Sequence, residues 1–228
     1  MKRLHRWPRT PKAAIALQRA LAGGVVQRPI ADMPRLIGGL DCAFSRDERT
    51  IFAAAVTWDA VERRVVEQRV VRRALRFPYV PGLLSFRETP AILGAFSRLR
   101  TRPEVVLCDG QGLAHPRRLG LACHVGLWLE LPTIGCAKSR LCGEHDEPGA
   151  ARGDWRPLRL RGDVVGGVLR TRERVKPMFI SPGHGCDVES AIRIVLAATT
   201  RYRMPEPTRL ADQVVNAARR AADGAELG

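Results

Sequence analysis

The stretch Leu36-Ile-Gly-Gly-Leu-Asp-Cys-Ala-Phe44 is apolar from end to end except for one acid, Asp41. Residues 51–58 form a second apolar, β-prone run, and residues 65–71 a third, rich in valine with polar residues in its middle. Asp47-Glu48-Arg49 and residues 59–64 supply the turns between them. Strands joined so closely predict an antiparallel meander, because parallel neighbours need a long crossover. Beyond Phe77 the pattern changes. Residues 86–99 carry Ala91, Ile92, Ala95, Phe96 and Leu99 at helical spacing, and residues 105–108 read as a short buried strand ending at Asp109-Gly110. A helix over 119–129, a core strand over 133–137, strands over 164–169 and 178–180, and helices over 188–198 and 209–222 complete the reading. Upstream, Ala14, Ile15, Leu17, Ala20 and Leu21 mark a helix that Gly23-Gly24 stops. The whole predicts the α/β class: a mixed central sheet, an antiparallel meander and then parallel βαβ strands, flanked by helices.

The same survey sets the domain plan. No repeat or long linker divides the chain, so residues 13–228 are expected to form a single domain. Residues 1–12, with Lys2, Arg3, Arg6, Arg9, Lys12 and two prolines, are expected to be a loose basic arm in front of it. The arm belongs to a wider charge excess. Lys and Arg number 38 against 23 Asp and Glu, a formal net charge of +15, which suits a polyanionic partner bound through its phosphates. The six cysteines form no C-x-x-C pair and no zinc-like group with histidine, so buried thiols in a reducing compartment are expected rather than a zinc site. Gln18 and Arg19 break the first apolar run, and no run is long enough to span a bilayer. A cytoplasmic protein with no membrane partner, acting as a monomer, is the expectation.

Three acids stand out against this background. Asp41 sits inside an apolar strand, where an unpaired carboxylate costs several kcal/mol, so it needs a partner. Asp109 ends a core strand before Gly-Gln-Gly112, at the edge where α/β sheets hold their ligands; an Asp-Gly turn is the plain alternative. Glu88 follows Ser85 by three residues near a helix start, which by itself reads as a capping box. Taken together, the three suit a hard divalent cation, which binds through a few carboxylates and keeps waters for phosphate. A first-strand acid beside an acid ending a neighbouring strand is also the layout of ribonuclease H-like nucleases.

Longer motifs carry a specific resemblance. Pro78-Tyr-Val-Pro-Gly-Leu-Leu-Ser-Phe-Arg-Glu88 is one, and Asp109-Gly-Gln-Gly-Leu-Ala-His-Pro-Arg-Arg-Leu-Gly-Leu-Ala-Cys-His124 is the longest. Pro132-Thr-Ile-Gly-Cys-Ala-Lys-Ser-Arg-Leu-Cys-Gly143, Ser181-Pro-Gly-His184 and Arg203-Met-Pro-Glu-Pro-Thr-Arg-Leu-Ala-Asp212 follow in order. These resemble the endonuclease V family over roughly residues 13 to 220. The resemblance implies a ribonuclease H-like fold and a Mg²⁺-dependent enzyme, Mn²⁺ substituting, that recognises deoxyinosine in DNA. It would cut the second phosphodiester bond 3′ to the lesion, leaving 3′-hydroxyl and 5′-phosphate ends. Inosine-containing RNA is the alternative substrate. A non-catalytic nucleic-acid-binding module would lack the acids, and all three are present.

Residue by residue, the resemblance implies Asp41 and Asp109 as metal ligands, Glu88 as the third carboxylate and Lys138 as a catalytic cation. Tyr79, between Pro78 and Pro81, would wedge into the helix where the modified base leaves, replacing lost stacking. Gly110 and Gly112, with Gly135, are expected to let backbone amides approach that base; close packing is the alternative. His115, Arg117 and Arg118 are expected to contact nucleic acid, with His184 and Asp212 supporting the site. His124 is expected to be buried and hydrogen-bonded. Two departures are visible: Gln111 stands where many relatives carry His, and the basic arm has no counterpart.

Overall fold

The computed structural model describes residues 3–225, so Lys2 of the arm and the last three residues of the expected domain lie outside it. Helix α1 (Pro11–Ala22) comes first, capped by Thr10. The meander follows as β1 (Leu36–Phe44), β2 (Thr50–Asp59) and β3 (Arg64–Ala74). Next come α2 (Leu84–Phe96), β4 (Val105–Cys108), α3 (Leu121–Leu129) and β5 (Thr133–Ala137). A second hairpin system, β6 (Trp155–Leu160), β7 (Asp163–Leu169) and β8 (Met178–Pro182), precedes α4 (Val188–Ala197) and α5 (Glu206–Ala225). All eight strands join one sheet in the order β3-β2-β1-β4-β5-β8-β7-β6. The pairs β1–β4 and β4–β5 are parallel and all others antiparallel. The expected mixed α/β sheet is present.

Strand β6 is the element the sequence reading passed over. Trp155-Arg-Pro-Leu-Arg-Leu160 alternates with arginine and contains Pro157, which removes a ladder donor. It survives as a strand because it is the sheet edge, laddered to β7 and bridged once more, through Arg159, to Glu144.

The centre of the sheet is covered on both faces. From Ile51 to Asp59, β2 is buried throughout, with Ala53 and Ala55 in the cluster under α2 and Phe52, Ala54 and Val56 in the cluster under α5. Small residues let both helices approach closely. Gly39 shows how closely: a Cβ there would lie 1.9 Å from the Pro207 carbonyl oxygen, so only glycine lets α5 seat on β1. Among the described residues, no helix is long and apolar enough to cross a membrane. All six thiols are free, four of them buried.

The arm differs from expectation. It is anchored through His5 and Trp7, the Trp7 ring stacking on Trp128 at 5.3 Å. Trp128 Nε1 donates to His5 Nε2 at 3.2 Å. Indole nitrogen only donates, so His5 Nε2 carries no proton and His124 Nε2, 2.7 Å away, is the donor to it. His5 Nδ1 donates to the Arg6 carbonyl. His124 is therefore buried and hydrogen-bonded, as expected. The arm's aromatic residues outweigh its charges in deciding where it lies.

Candidate active site

Parallel pairing of β1 with β4 sets Leu40 against Cys108, so Asp41 and Asp109, one residue on, face each other across neighbouring strands. The Asp109 amide donates to the Leu40 carbonyl at 3.3 Å, continuing the ladder. Both acids line a cavity of about 490 Å³, within the range of small-ligand pockets. Glu88 reaches the same cavity from α2. Its capping-box reading does not hold. Leu83 is the N-cap and makes no side-chain cap bond, while the buried Ser85 hydroxyl has no partner. Glu88 is only 8% exposed, and burial first, then the neighbouring acids, raises its pKa.

The electrostatics follow from that packing. Burial, then the charge of Asp109, lifts Asp41 to about 8, although the Cys42 amide donating to Asp41 Oδ1 at 2.8 Å opposes the rise. Burial, then Asp41 and Asp109, lifts Glu88 to about 8. Lys138, just past β5, donates to Asp109 Oδ2 at 2.6 Å. Burial pulls its pKa down, but the Asp109 hydrogen bond and the charges of Asp109, Asp41 and Asp212 outweigh this and raise it. Asp212, brought over β1 by the seating of α5 at Gly39, adds to the field on Asp41. Four acids and one lysine thus form a like-charge concentration that favours a further cation. Among the described residues, no three acid, His or Cys side chains already converge as a metal cage.

Tyr79 is 67% exposed at the cavity rim, on the loop between β3 and α2. The loop ends at Gly82, whose φ of +77° favours glycine. Three donors converge on the Gly82 carbonyl: Arg117 Nη2 at 2.8 Å, His115 Nε2 at 3.0 Å and Gln18 Nε2 at 3.2 Å. His115 Nδ1 accepts from the Arg117 amide, which fixes the tautomer with the proton on Nε2. Burial, the first cause, holds His115 down at about 4, so it is neutral. Gln18, in α1 and 1% exposed, also donates to the Leu119 carbonyl and accepts from Arg117. The sequence reading missed it. Its only signal was an uncharged polar residue on the buried side of an amphipathic helix.

Several expected roles look different in place. Gly110 and Gln111 line the cavity, but Gly112 does not. The Gly112 amide donates to Ser181 Oγ at 2.7 Å, its carbonyl accepts from Gly120, and a Cβ would lie 2.2 Å from the Pro182 carbonyl oxygen. At Gly135, a Cβ would meet the Gly110 carbonyl at 2.5 Å. Both are packing glycines, which corrects the expectation of free amides there. Arg117 is tied to Gln18 and Gly82, and Arg118 to the Leu160 carbonyl and Asp163. Both guanidiniums thus have protein partners where phosphate contacts were expected. His184 lies outside the cavity, bonded through its backbone to Thr133. Antiparallel pairing carries the end of β8 to the start of β5, whereas Lys138 lies past the other end. That corrects its expected support of the acids.

The chain is similar to known proteins over nearly its whole length. The Endonuclease V family profile matches residues 19–213. Endonuclease V of Azotobacter vinelandii is 51% identical, covering 94% of this chain and 96% of its own. The crystal structure of Endonuclease V from Streptomyces avermitilis superposes with a TM-score of 0.90 at 43% identity, covering 95% and 96% of the two chains. Endonuclease V of Ciona intestinalis, solved with a 24mer DNA containing an inosine followed by a ribo-adenosine, is 23% identical with a TM-score of 0.80, covering 92% and 98%. The shared fold is ribonuclease H-like, and the profile takes in Asp41, Tyr79, Glu88, Asp109, Lys138 and Asp212 alike. On that match, and on identity that runs through nearly the whole chain, the protein belongs to the endonuclease V family of nucleases.

Proposed function

We propose that this nuclease cuts DNA at the second phosphodiester bond 3′ to deoxyinosine, using Mg²⁺ or Mn²⁺ and leaving 3′-hydroxyl and 5′-phosphate ends. The observation that carries the reading is the facing pair Asp41 and Asp109, with Glu88 beside them, in one cavity rimmed by Tyr79. The donor chemistry fits the cation. Carboxylate oxygens are what Mg²⁺ prefers, and burial with like charge lifts Asp41 and Glu88 to about 8, a penalty that a bound cation removes. Asp41 and Asp109 would hold it, with Glu88 third and Asp212 adding negative field. Bound there, it supplies positive charge against the phosphate oxygens as the bond breaks.

The chain's own groups do the rest. The Lys138 ammonium, held by Asp109, faces charge building on the scissile phosphate. Glu88 completes the carboxylate set and would give up its proton once positive charge is held beside it, since burial and then Asp41 and Asp109 are what raise its pKa to about 8. Tyr79, between Pro78 and Pro81, stacks into the space the inosine leaves, and His115, Arg117 and Gln18 keep its loop in place. Gly110 and Gln111 line the cavity that would take the base. Asp41, Tyr79, Glu88, Asp109 and Lys138 of a single copy line one cavity, so a monomer holds the groups the reading needs.

The deoxyinosine assignment draws on the family and on the inosine-containing DNA bound by the Ciona intestinalis relative. The test is nicking of matched DNA and RNA oligonucleotides, each with one inosine or none, with Mg²⁺ and with chelator. Cation-dependent cutting of inosine DNA two bonds 3′ to the lesion is expected. Equal cutting of plain DNA would overturn the base assignment. Preferential cutting of the RNA would move the substrate to inosine in RNA.

A further inference from the structure

A second cavity, of about 1040 Å³, lies on the other side of α2, and its charge is opposite. Arg3, Arg6, Arg9, Arg73, Arg76 and Arg87 line it, and no acid among the described residues does. Arg87 is committed to the protein: it pairs with Glu48 at 3.1 Å, donates to the Phe77 carbonyl and lies over the Phe44 ring. The other five have no carboxylate partner among the described residues, and Arg73 donates only to the Pro90 carbonyl. Arg3, Arg6 and Arg9 are exposed, yet their backbone is held between them by the His5 and Trp7 anchors on His124 and Trp128. Unpaired guanidiniums at fixed positions, with their solvation intact, suit an anion of repeated charge.

The groove and the acid cavity share the helix α2 and the loop before it as a common wall. Helix α2 gives Ser85 and Glu88 to one and Phe86, Arg87 and Pro90 to the other, and the loop before it gives Tyr79 to the first and Phe77 to the second. A helix with its side chains is about 10–12 Å across, three or four steps of a duplex strand at ~3.4 Å each. The geometry points to the groove as a track for the phosphate backbone of the substrate duplex flanking the acid cavity, with the anchored arm as one wall. This rests on the reading that the acid cavity cuts nucleic acid. It adds a binding surface that the arm supplies together with Arg73 and Arg76.

The test is binding of an inosine-free 30-base-pair duplex in chelator over a range of salt, with the parent and the quadruple variant Arg3→Gln, Arg6→Gln, Arg9→Gln, Arg76→Gln. The salt slope of log affinity should fall by about 0.9 for each phosphate no longer neutralised, so by roughly 3–4, with affinity at low salt down by about tenfold or more. The matching Lys variant should keep most of the slope, and a thermal melt of each variant shows whether it folds. An unchanged slope in a folded Gln variant overturns the proposal. So does a Gln variant that loses binding to anionic lipid vesicles while keeping its duplex slope. Inosine-dependent nicking is followed separately. A parent that fails to discriminate inosine, with the slope change intact, defeats the base assignment and leaves the groove standing; the reverse result defeats the groove alone.

Discussion

On one side of α2 three buried or half-buried acids line a cavity, with Asp212 adding to their field, and on the other several arginines line a groove. Both gather like charges, but in different solvents. In the acid cavity burial is the first cause of each shift, and Asp41 and Glu88 rise to about 8. Arg3, Arg6 and Arg9 remain exposed, where two unit charges 4 Å apart repel by only about 1 kcal/mol. Buried like charges select a compact, highly charged partner in one place. Solvated like charges accept a diffuse polyanion and release it in salt. A nuclease needs both: one to do chemistry on a single phosphate, the other to hold many.

Removing an acid probes this contrast most severely. Asp41→Ala or Asp109→Ala should lower single-turnover nicking by about 10³-fold or more, the scale of losing a group aimed at developing charge. Duplex affinity in chelator should stay the same or rise, since negative charge is removed. A variant that nicks within tenfold of the parent would show that the cavity does not act through those acids.

Tyr79→Ala comes next. Base stacking on an aromatic ring is worth about 1–3 kcal/mol, so the loss on a paired inosine should be roughly tenfold, and smaller on a single strand. Equal losses on both would mean that Tyr79 does something other than fill a stack. Gln18→Ala should reproduce part of this loss through a loosened Gly82 clamp, read as a larger KM with a smaller change in kcat.

A third effect concerns stability. Asp41 and Glu88 have folded pKa values near 8, above their unfolded values, so their contribution is full below about pH 4 and is lost as pH rises toward 8. Metal-free protein should melt several degrees lower at pH 8 than at pH 5, at about 2–4 °C per kcal/mol for a chain of this size. Glu88→Gln should flatten that slope, and Mg²⁺ should restore the parent's melting point at pH 8. A pH-independent melt in chelator would count against the buried like-charge cluster.

The smallest effect separates the two regions by sign. Burial, then the neighbouring His5, depresses His124 to about 3, so its contribution is present above about pH 6.5 and is lost as pH falls from there toward 3. His5 shifts the same way, burial first. Acidification to pH 5.5 should therefore loosen the arm and weaken duplex binding modestly, read as a reduced salt slope. His124→Gln should remove that pH dependence. If the arm's contribution is the same at pH 5.5 and 7.5, the histidine pair does not hold it.

Much of this was legible in the chain. The apolar runs gave the meander and the βαβ unit because period and length separate strand from helix. Asp41 stood out because a lone acid in a buried strand needs a reason, and Asp109 because a strand end before glycine is where ligands sit. Strand β6 was hidden by Arg and Pro, tolerable only at an edge. Local spacing also misread Glu88 as a cap and Gly112 as an open amide, since neither capping geometry nor a neighbour's carbonyl is written in local order.

Residue order alone was enough for the class of fold, the family and the types of group available for chemistry, because periodicity, motif and charge are properties of neighbours along the chain. Which of those groups meet was settled in three dimensions. Parallel pairing of β1 with β4 sets Asp41 against Asp109, and the direction of β8 takes His184 away from them. Gly39 lets α5 bring Asp212 near, and Trp128 with His124 turns a basic tail into a wall. Each of these depends on register and close packing between segments distant in sequence, where a difference of one residue or one methyl group changes the outcome.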